Sequence, residues 1–229
     1  MATITRLYIT LLTLFGGISF FVWPSIALYA ILLGMLVNML GHSIGYHRLL
    51  THNSFEPRYA FIPQVLTLLG CVTGRGSPIG YAAIHLSHHV HSDSDSDPHS
   101  PVNKNFIQFF LEHFNLSPDP KITVKVIRSH GSRFNKYVHR NVLWLNLLTM
   151  ACMVAMGIAH IYAMVVFVTL LIGVMVNYYG HDTAGPVDRF WLGIITLGEG
   201  FHGSHHQKPA EMQFHKYDVG GYLCKWMSK

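Results

Sequence analysis

The sequence predicts an all-α integral membrane protein, with four transmembrane helices in two hairpins and a cytoplasmic helical cap that carries a cluster of histidines. Three observations predict it. Four apolar runs approach or reach the length that crosses a bilayer, every Lys and Arg lies on one side of the two hairpin turns, and the pattern H-x-x-H-H occurs twice. Composition agrees, because half of the 229 residues are hydrophobic and only 12% are charged, a balance that belongs to membrane proteins.

The first two runs, 7–23 and 26–41, are separated by Pro24 and Ser25; roughly 17–25 apolar residues span the hydrocarbon core. The next run, Ala60 to Val72, is interrupted by Pro63 and Gln64 and is too short to cross, so an interfacial or re-entrant helix is expected. Gly74-Arg75-Gly76-Ser77-Pro78 is a loop signal. Phe106, Phe109, Phe110 and Phe114 share a helical face, as in a helix lying on the bilayer or packed on a cap. From Lys121 to Arg140 there are six basic residues and no acidic one, which suits a solvated face, anionic headgroups or an acidic partner protein. The second pair of runs, 142–158 and 161–180, turns at Ala159-His160.

Charge orients the chain. All sixteen Lys and Arg lie before the first hairpin, between the hairpins or after the second, and the two turns carry none. The positive-inside rule therefore predicts that both chain ends and the cap, 42–141 and 181–229, lie in the cytoplasm, as parts of one domain over 1–229.

Seventeen histidines exceed what packing requires, whereas Cys71, Cys152 and Cys224 are scattered without metal-ligand or disulfide spacing. His85, His88 and His89 form the first H-x-x-H-H, and His202, His205 and His206 the second. On a helix, residues at i, i+3 and i+4 share a face, so each motif can aim three imidazoles at one point. His47 and His52 are five apart, which is not a same-face α-helical spacing, so the helix is expected to end or bend between them. Asn177 and His181 are i and i+4 at the inner end of the last span. A mononuclear site takes four to six ligands; nine converging imidazoles imply two metal ions. Of the other eight histidines, His42 precedes His47 by the same five-residue step but is left out of the set, and the rest lack matching spacing, although Asp97 and His99 follow the first motif closely enough to orient a ligand ring.

At these residues the chain resembles the membrane fatty acyl desaturases of the stearoyl-CoA type. The resemblance runs from Gly41 through His47-Arg48 and His52, then His85 to Ser100 with Asp97-Pro98-His99-Ser100. It resumes at Asn177-Tyr178-Tyr179-Gly180-His181, at Gly198-Glu199-Gly200-Phe201-His202-Gly203-Ser204-His205-His206 with Pro209, and at Tyr217-Asp218. It implies two iron ions held by His47, His52, His85, His88, His89, His181, His202, His205 and His206, with Asn177 joined through water and Asp97, His99 and Glu199 behind the ligands. It further implies dioxygen as co-substrate, a cis double bond placed in a long saturated acyl chain, and a tunnel that Ile31, Met35 and Asn38 would line or close. No cytochrome-b5-like domain is present in the sequence, so a separate electron donor of ferredoxin or cytochrome type is expected. The acyl carrier is open between coenzyme A, acyl carrier protein and lipid. Membrane lipid is the surrounding partner, and no nucleic acid is expected. Two rivals are weighed: a related membrane hydroxylase or alkane-type monooxygenase, and a histidine-rich metal transporter, which would need its ligands near the bilayer midplane.

Overall fold

The computed structural model describes residues 3–229. Three helical stretches in it are long and apolar enough to cross a membrane: α1 (Thr3–Val22), α2 (Ala27–Val37) together with the helical segment that continues it to Thr51, and α8 (Ala159–Tyr179). α8 is the centre. Its Val165, Val166, Leu170, Ile172 and Val174 are buried on all sides, and α1 and α2 both pack along it. The opposite faces of α1 and α2 expose Leu7, Leu11, Leu14, Phe21, Leu28 and Leu32, a continuous apolar surface suited to lipid.

A short 3-10 turn over Pro24–Ile26 joins α1 to α2, with proline at its first position, where no backbone N–H is lost. The Trp23 and His160 rings lie 4.6 Å apart, so this turn and the one before α8 sit side by side at one end of the bundle. At the other end Arg6 donates to the Leu116 carbonyl at 3.2 Å and ties the start of α1 to the cap.

The run 142–158 does not stand alone as a span. It forms the later part of α7 (Arg133–Ala155), which starts nine residues earlier because Ser132 caps it by accepting the Asn135 N–H at 3.1 Å. α7 therefore carries Arg133, Lys136 and Arg140 on its first turns and is not among the three apolar helices.

The second span also differs from expectation. It does not end near Gly41; the chain passes directly into a π-helix over Asn38–Thr51. Such i→i+5 winding is normally confined to single turns. Here it is supported by close packing on α3 (Ile62–Val72), where a Cβ on Gly41 would meet the Gly70 nitrogen at 2.7 Å. Met39 and Ile44 then join Ile62 and Leu66 of α3 and Cys224 and Met227 of α11 (Val219–Met227) in one apolar cluster.

The remaining cap elements are α4 (Pro78–His91), α5 (Phe106–Glu112), α6 (Pro120–Ser129), the two-stranded β1 (His181–Asp182) and β2 (Gly185–Pro186), α9 (Phe190–Ile195) and α10 (His202–Gln207). α5 packs Phe109 on Tyr178 of α8 and leaves Ile107 and Leu111 exposed. α6 buries Val126 against Ile79, Ala82 and Ala83 of α4, which turns Lys121, Lys125 and Arg128 outward.

Gly41→Val is expected to push the π-helix off α3 and to cost about 1–3 kcal/mol, the usual penalty for overpacking a filled interior. The midpoint of thermal unfolding in detergent measures it.

Candidate metal centre

Each H-x-x-H-H motif begins from a built local structure. α4 starts at Ser77, whose Oγ accepts the Gly80 N–H at 3.1 Å, with Pro78 in the first turn. α10 is fixed by Asp188, which accepts the Ser204 N–H at 2.8 Å and the Ser204 hydroxyl at 2.5 Å.

The nine histidines singled out above come together, in two groups. His47, His52, His85, His89 and His205 form one, and His88, His181, His202 and His206 the other; within each, one ring nitrogen per residue lies within 4.8 Å of all the rest. Neither motif serves one point, contrary to expectation. α4 sends His85 and His89 to the first group and His88 to the second; α10 sends His205 to the first and His202 and His206 to the second. Helix geometry explains the split, since i+4 lies about 40° to one side of i and i+3 about 60° to the other. The two groups are thereby locked at a fixed separation by two helices that both share.

The π-helix ends at Thr51, between His47 and His52 as expected, with His52 at its C-cap, and both rings reach the same group. The π-helix carries residues five apart onto successive turns, and the His52 N–H donates to the His47 carbonyl at 3.1 Å. His42 sits one such step earlier and stays outside both groups, with Nε2 2.9 Å from the Tyr81 hydroxyl.

The ring nitrogens suit metal ions. In the first group Nε2–Nε2 distances are 3.0 Å for His47–His205, 2.9 Å for His52–His85, 3.0 Å for His85–His89 and 2.9 Å for His89–His205. In the second they are 3.2 Å for His88–His206 and 3.1 Å for both His181–His202 and His202–His206. Neutral imidazoles crowded in this way have too few protons for every contact, so lone pairs face one another. A cation between them removes the repulsion, and neighbouring nitrogens bound at about 2.1 Å and at right angles stand about 3.0 Å apart. The donor set therefore fits: these two clusters could each hold a metal ion.

Carboxylates stand behind three rings, and those of His88 and His181 make the hydrogen bond that fixes a ligand's tautomer. His47 Nδ1 is 2.6 Å from Glu199, His88 Nδ1 is 2.9 Å from Asp97, and His181 Nδ1 is 2.9 Å from Asp93. Asp93, Asp95 and Asp97 alternate along one polar run, and Asp95 between the two partners is exposed. His99 donates its backbone N–H to Asp97, but its ring forms no hydrogen bond to a clustered histidine. Glu199 also accepts from Ser43 at 2.5 Å and pairs with Arg48 at 2.7 Å; Arg48 pairs further with Asp218 at 2.9 Å. Burial alone would raise the Glu199 carboxyl, but His47 and Arg48 outweigh it and hold it well below its ordinary range. Burial raises Asp218, even beside Arg48.

A cavity of about 200 Å³ is lined by His42, His47, His85, Glu199 and His202 together with Ile9, Ile79, Ile84, Phe114, Leu170 and Val176. Asn177 lines it too, its Nδ2 donating to the Gly173 carbonyl at 2.9 Å. Ile31, Met35 and Asn38 do not line it. Ile31 lies on the exposed face of α2, Met35 is half-buried on the same helix, and Asn38 is turned to hold Arg75.

The class defined so far is a helical protein with three stretches long and apolar enough to cross a membrane and with two histidine clusters, each able to hold a metal ion, beside an apolar cavity. A profile of the fatty acid desaturase family matches residues 21–218. The chain belongs to the fatty acid desaturase family, and it is an oxidoreductase. It is 31% identical over 203 residues to the sn-1 stearoyl-lipid 9-desaturase of Anabaena variabilis, covering 82% of this chain and 73% of that one. It is 27% identical over 237 residues to Delta-9 acyl-lipid desaturase 1 of Arabidopsis thaliana, covering 90% and 73%. The sn-2 palmitoyl-lipid 9-desaturase of Nostoc sp. (strain 36) is 27% identical over 211 residues, covering 83% and 72%.

Asp93→Asn and Asp97→Asn are each expected to weaken metal retention about 10–100-fold, whereas Asp95→Asn leaves it unchanged; competition with a chelator, read by metal content, distinguishes them. A second prediction concerns pH. Burial drives the free rings of His85, His202 and His205 well below their ordinary range, and those of His52 and His206 down to about 2. Unfolding returns each to about 6.5. The unfolded chain therefore takes up protons that the folded one refuses, and the stability of the metal-free protein, full above about pH 6.5, declines as pH falls toward those low values. Melting curves of metal-free protein between about pH 7.5 and 5 should show a steady fall.

Proposed function

We propose that this desaturase inserts a cis double bond into a long saturated acyl chain carried by a membrane lipid, using dioxygen, two iron ions and electrons from a separate ferredoxin or cytochrome. The observation that carries this reading is the apolar cavity lined in part by rings of both histidine groups. Membrane lipid is favoured as carrier because the similar proteins from Anabaena, Nostoc and Arabidopsis are named for stearoyl-lipid, palmitoyl-lipid and acyl-lipid substrates.

The reaction joins an acyl CH2–CH2 unit, O2, two electrons and two protons to give CH=CH and two waters. Bound iron would supply the oxidant that unactivated C–H bonds require. The nine histidines are the proposed ligands, with Asn177 near them through water. Asp93 and Asp97 hold His181 and His88 in the tautomer that leaves Nε2 free, and Glu199 stands behind His47. Ile79, Ile84, Leu170 and Val176 exclude water and lay methylenes against the site. In the proposed membrane arrangement the second half of α7 adds a fourth span, one domain covers the chain, and the positively charged cap faces the cytoplasm. The outward Lys121, Lys125 and Arg128 offer a basic face to an acidic electron donor.

Expression in a host without its own desaturase, followed by mass spectrometry of fatty acids and intact lipid classes, tests the reading. Monounsaturated chains on lipid are expected, and His205→Ala should abolish them. A hydroxylated product without an alkene would overturn desaturation.

A further inference from the structure

Arg75 belongs to the turn between α3 and α4, yet its guanidinium reaches the level of Thr169, the middle residue of α8. There it donates to the Thr169 carbonyl and, at 2.9 Å, to Asn38 Oδ1. Gly173 makes the room, since a Cβ at that position would occupy the place of the guanidinium. Arg75 is 9% exposed, its Nε has no partner, and among the described residues it forms no ion pair. Glu199 is the acid whose charge reaches it, and that carboxylate is already engaged by His47, Ser43 and Arg48. Burial pushes Arg75 down to about 10, so it remains a cation at neutral pH.

Two further nitrogens in the same cavity are buried without partners, His99 Nδ1 and His113 Nδ1; the two rings lie 5.7 Å apart. In the tautomer that protonates Nδ1, each ring has an N–H to place in the cavity. A buried cation without a counter-charge and buried ring nitrogens without partners are costly. Methylenes cannot satisfy them. An oxygen can.

We infer that Arg75, His99 and His113 form a subsite inside the cavity for the carboxyl-derived oxygen of an acyl ligand, either a free carboxylate or an ester carbonyl. The inference rests on the reading that this cavity receives an acyl chain. It adds that recognition of the acyl head includes a buried cation, in place of contacts at the surface alone.

The test uses metal-loaded full-length protein in detergent micelles with radiolabelled palmitate, methyl palmitate and hexadecane. Retention is compared between wild type and Arg75→Gln, so that partition into micelles cancels. Wild type should hold palmitate, or palmitate and its ester, at least about tenfold more tightly than Arg75→Gln does, while hexadecane changes by less than about threefold. Palmitate alone affected assigns the carboxylate, and both affected assigns the carbonyl. Equal retention of all three ligands by both proteins overturns the subsite. Should Arg75→Gln not fold, the resonance of [1-13C]palmitate and of its methyl ester on wild type decides: displacement from the micellar position is expected, and coincidence with it for both overturns the inference. The binding result stands apart from the reaction, because loss of alkene product with retained oxygen preference would count against desaturation and not against the subsite.

Discussion

Glu199 binding His47, Ser43 and Arg48 together is the interaction on which the rest of the centre depends. It joins the π-helix to the loop before α10, and Arg48 carries the connection on to Asp218, whose carboxylate also accepts the Phe214 and Gly221 N–H groups at the start of α11. These charges are almost wholly buried, so removing one partner strands another in a low-dielectric setting, where a broken buried pair costs about 3–5 kcal/mol. The network thus fixes the register in which the His47 and His205 rings meet at 3.0 Å.

Sharing, more than clustering, is how the centre is made rigid. Because α4 and α10 each supply rings to both groups, neither group can shift without moving the other. The span beneath is continuous with one of them, through the unbroken run from α2 into the π-helix. An apolar cavity bounded by α8 is therefore placed against the same rings by covalent continuity and packing.

The same cavity holds two kinds of wall. Beside the aliphatic residues stand Arg75, His99 and His113, whose unsatisfied nitrogens weaken the fold unless something answers them. A purely hydrocarbon ligand would leave that cost in place. The polar wall and the apolar wall together describe an amphipathic ligand, which is what an acyl chain with its head group is.

The sequence by itself determined the helical class with apolar runs of span length and the gathering of nine histidines, because apolar runs and the i, i+3, i+4 spacing are local properties, and the order of its histidine motifs carried the family. It left Asp93 indistinct from Asp95, since both share one polar run and only the fold brings His181 to one of them. The five-residue step from His47 to His52 marks the helix end at Thr51, but the i→i+5 winding before it was not legible, because it is packed through Gly41 on Gly70, a contact between separate elements. Division of each H-x-x-H-H between two groups, and the burial of Arg75 from a loop signal to the level of Thr169, were likewise decided only by tertiary packing. Spacing says which side of a helix a ring occupies; what faces that side is set by the neighbours that the whole chain brings to it.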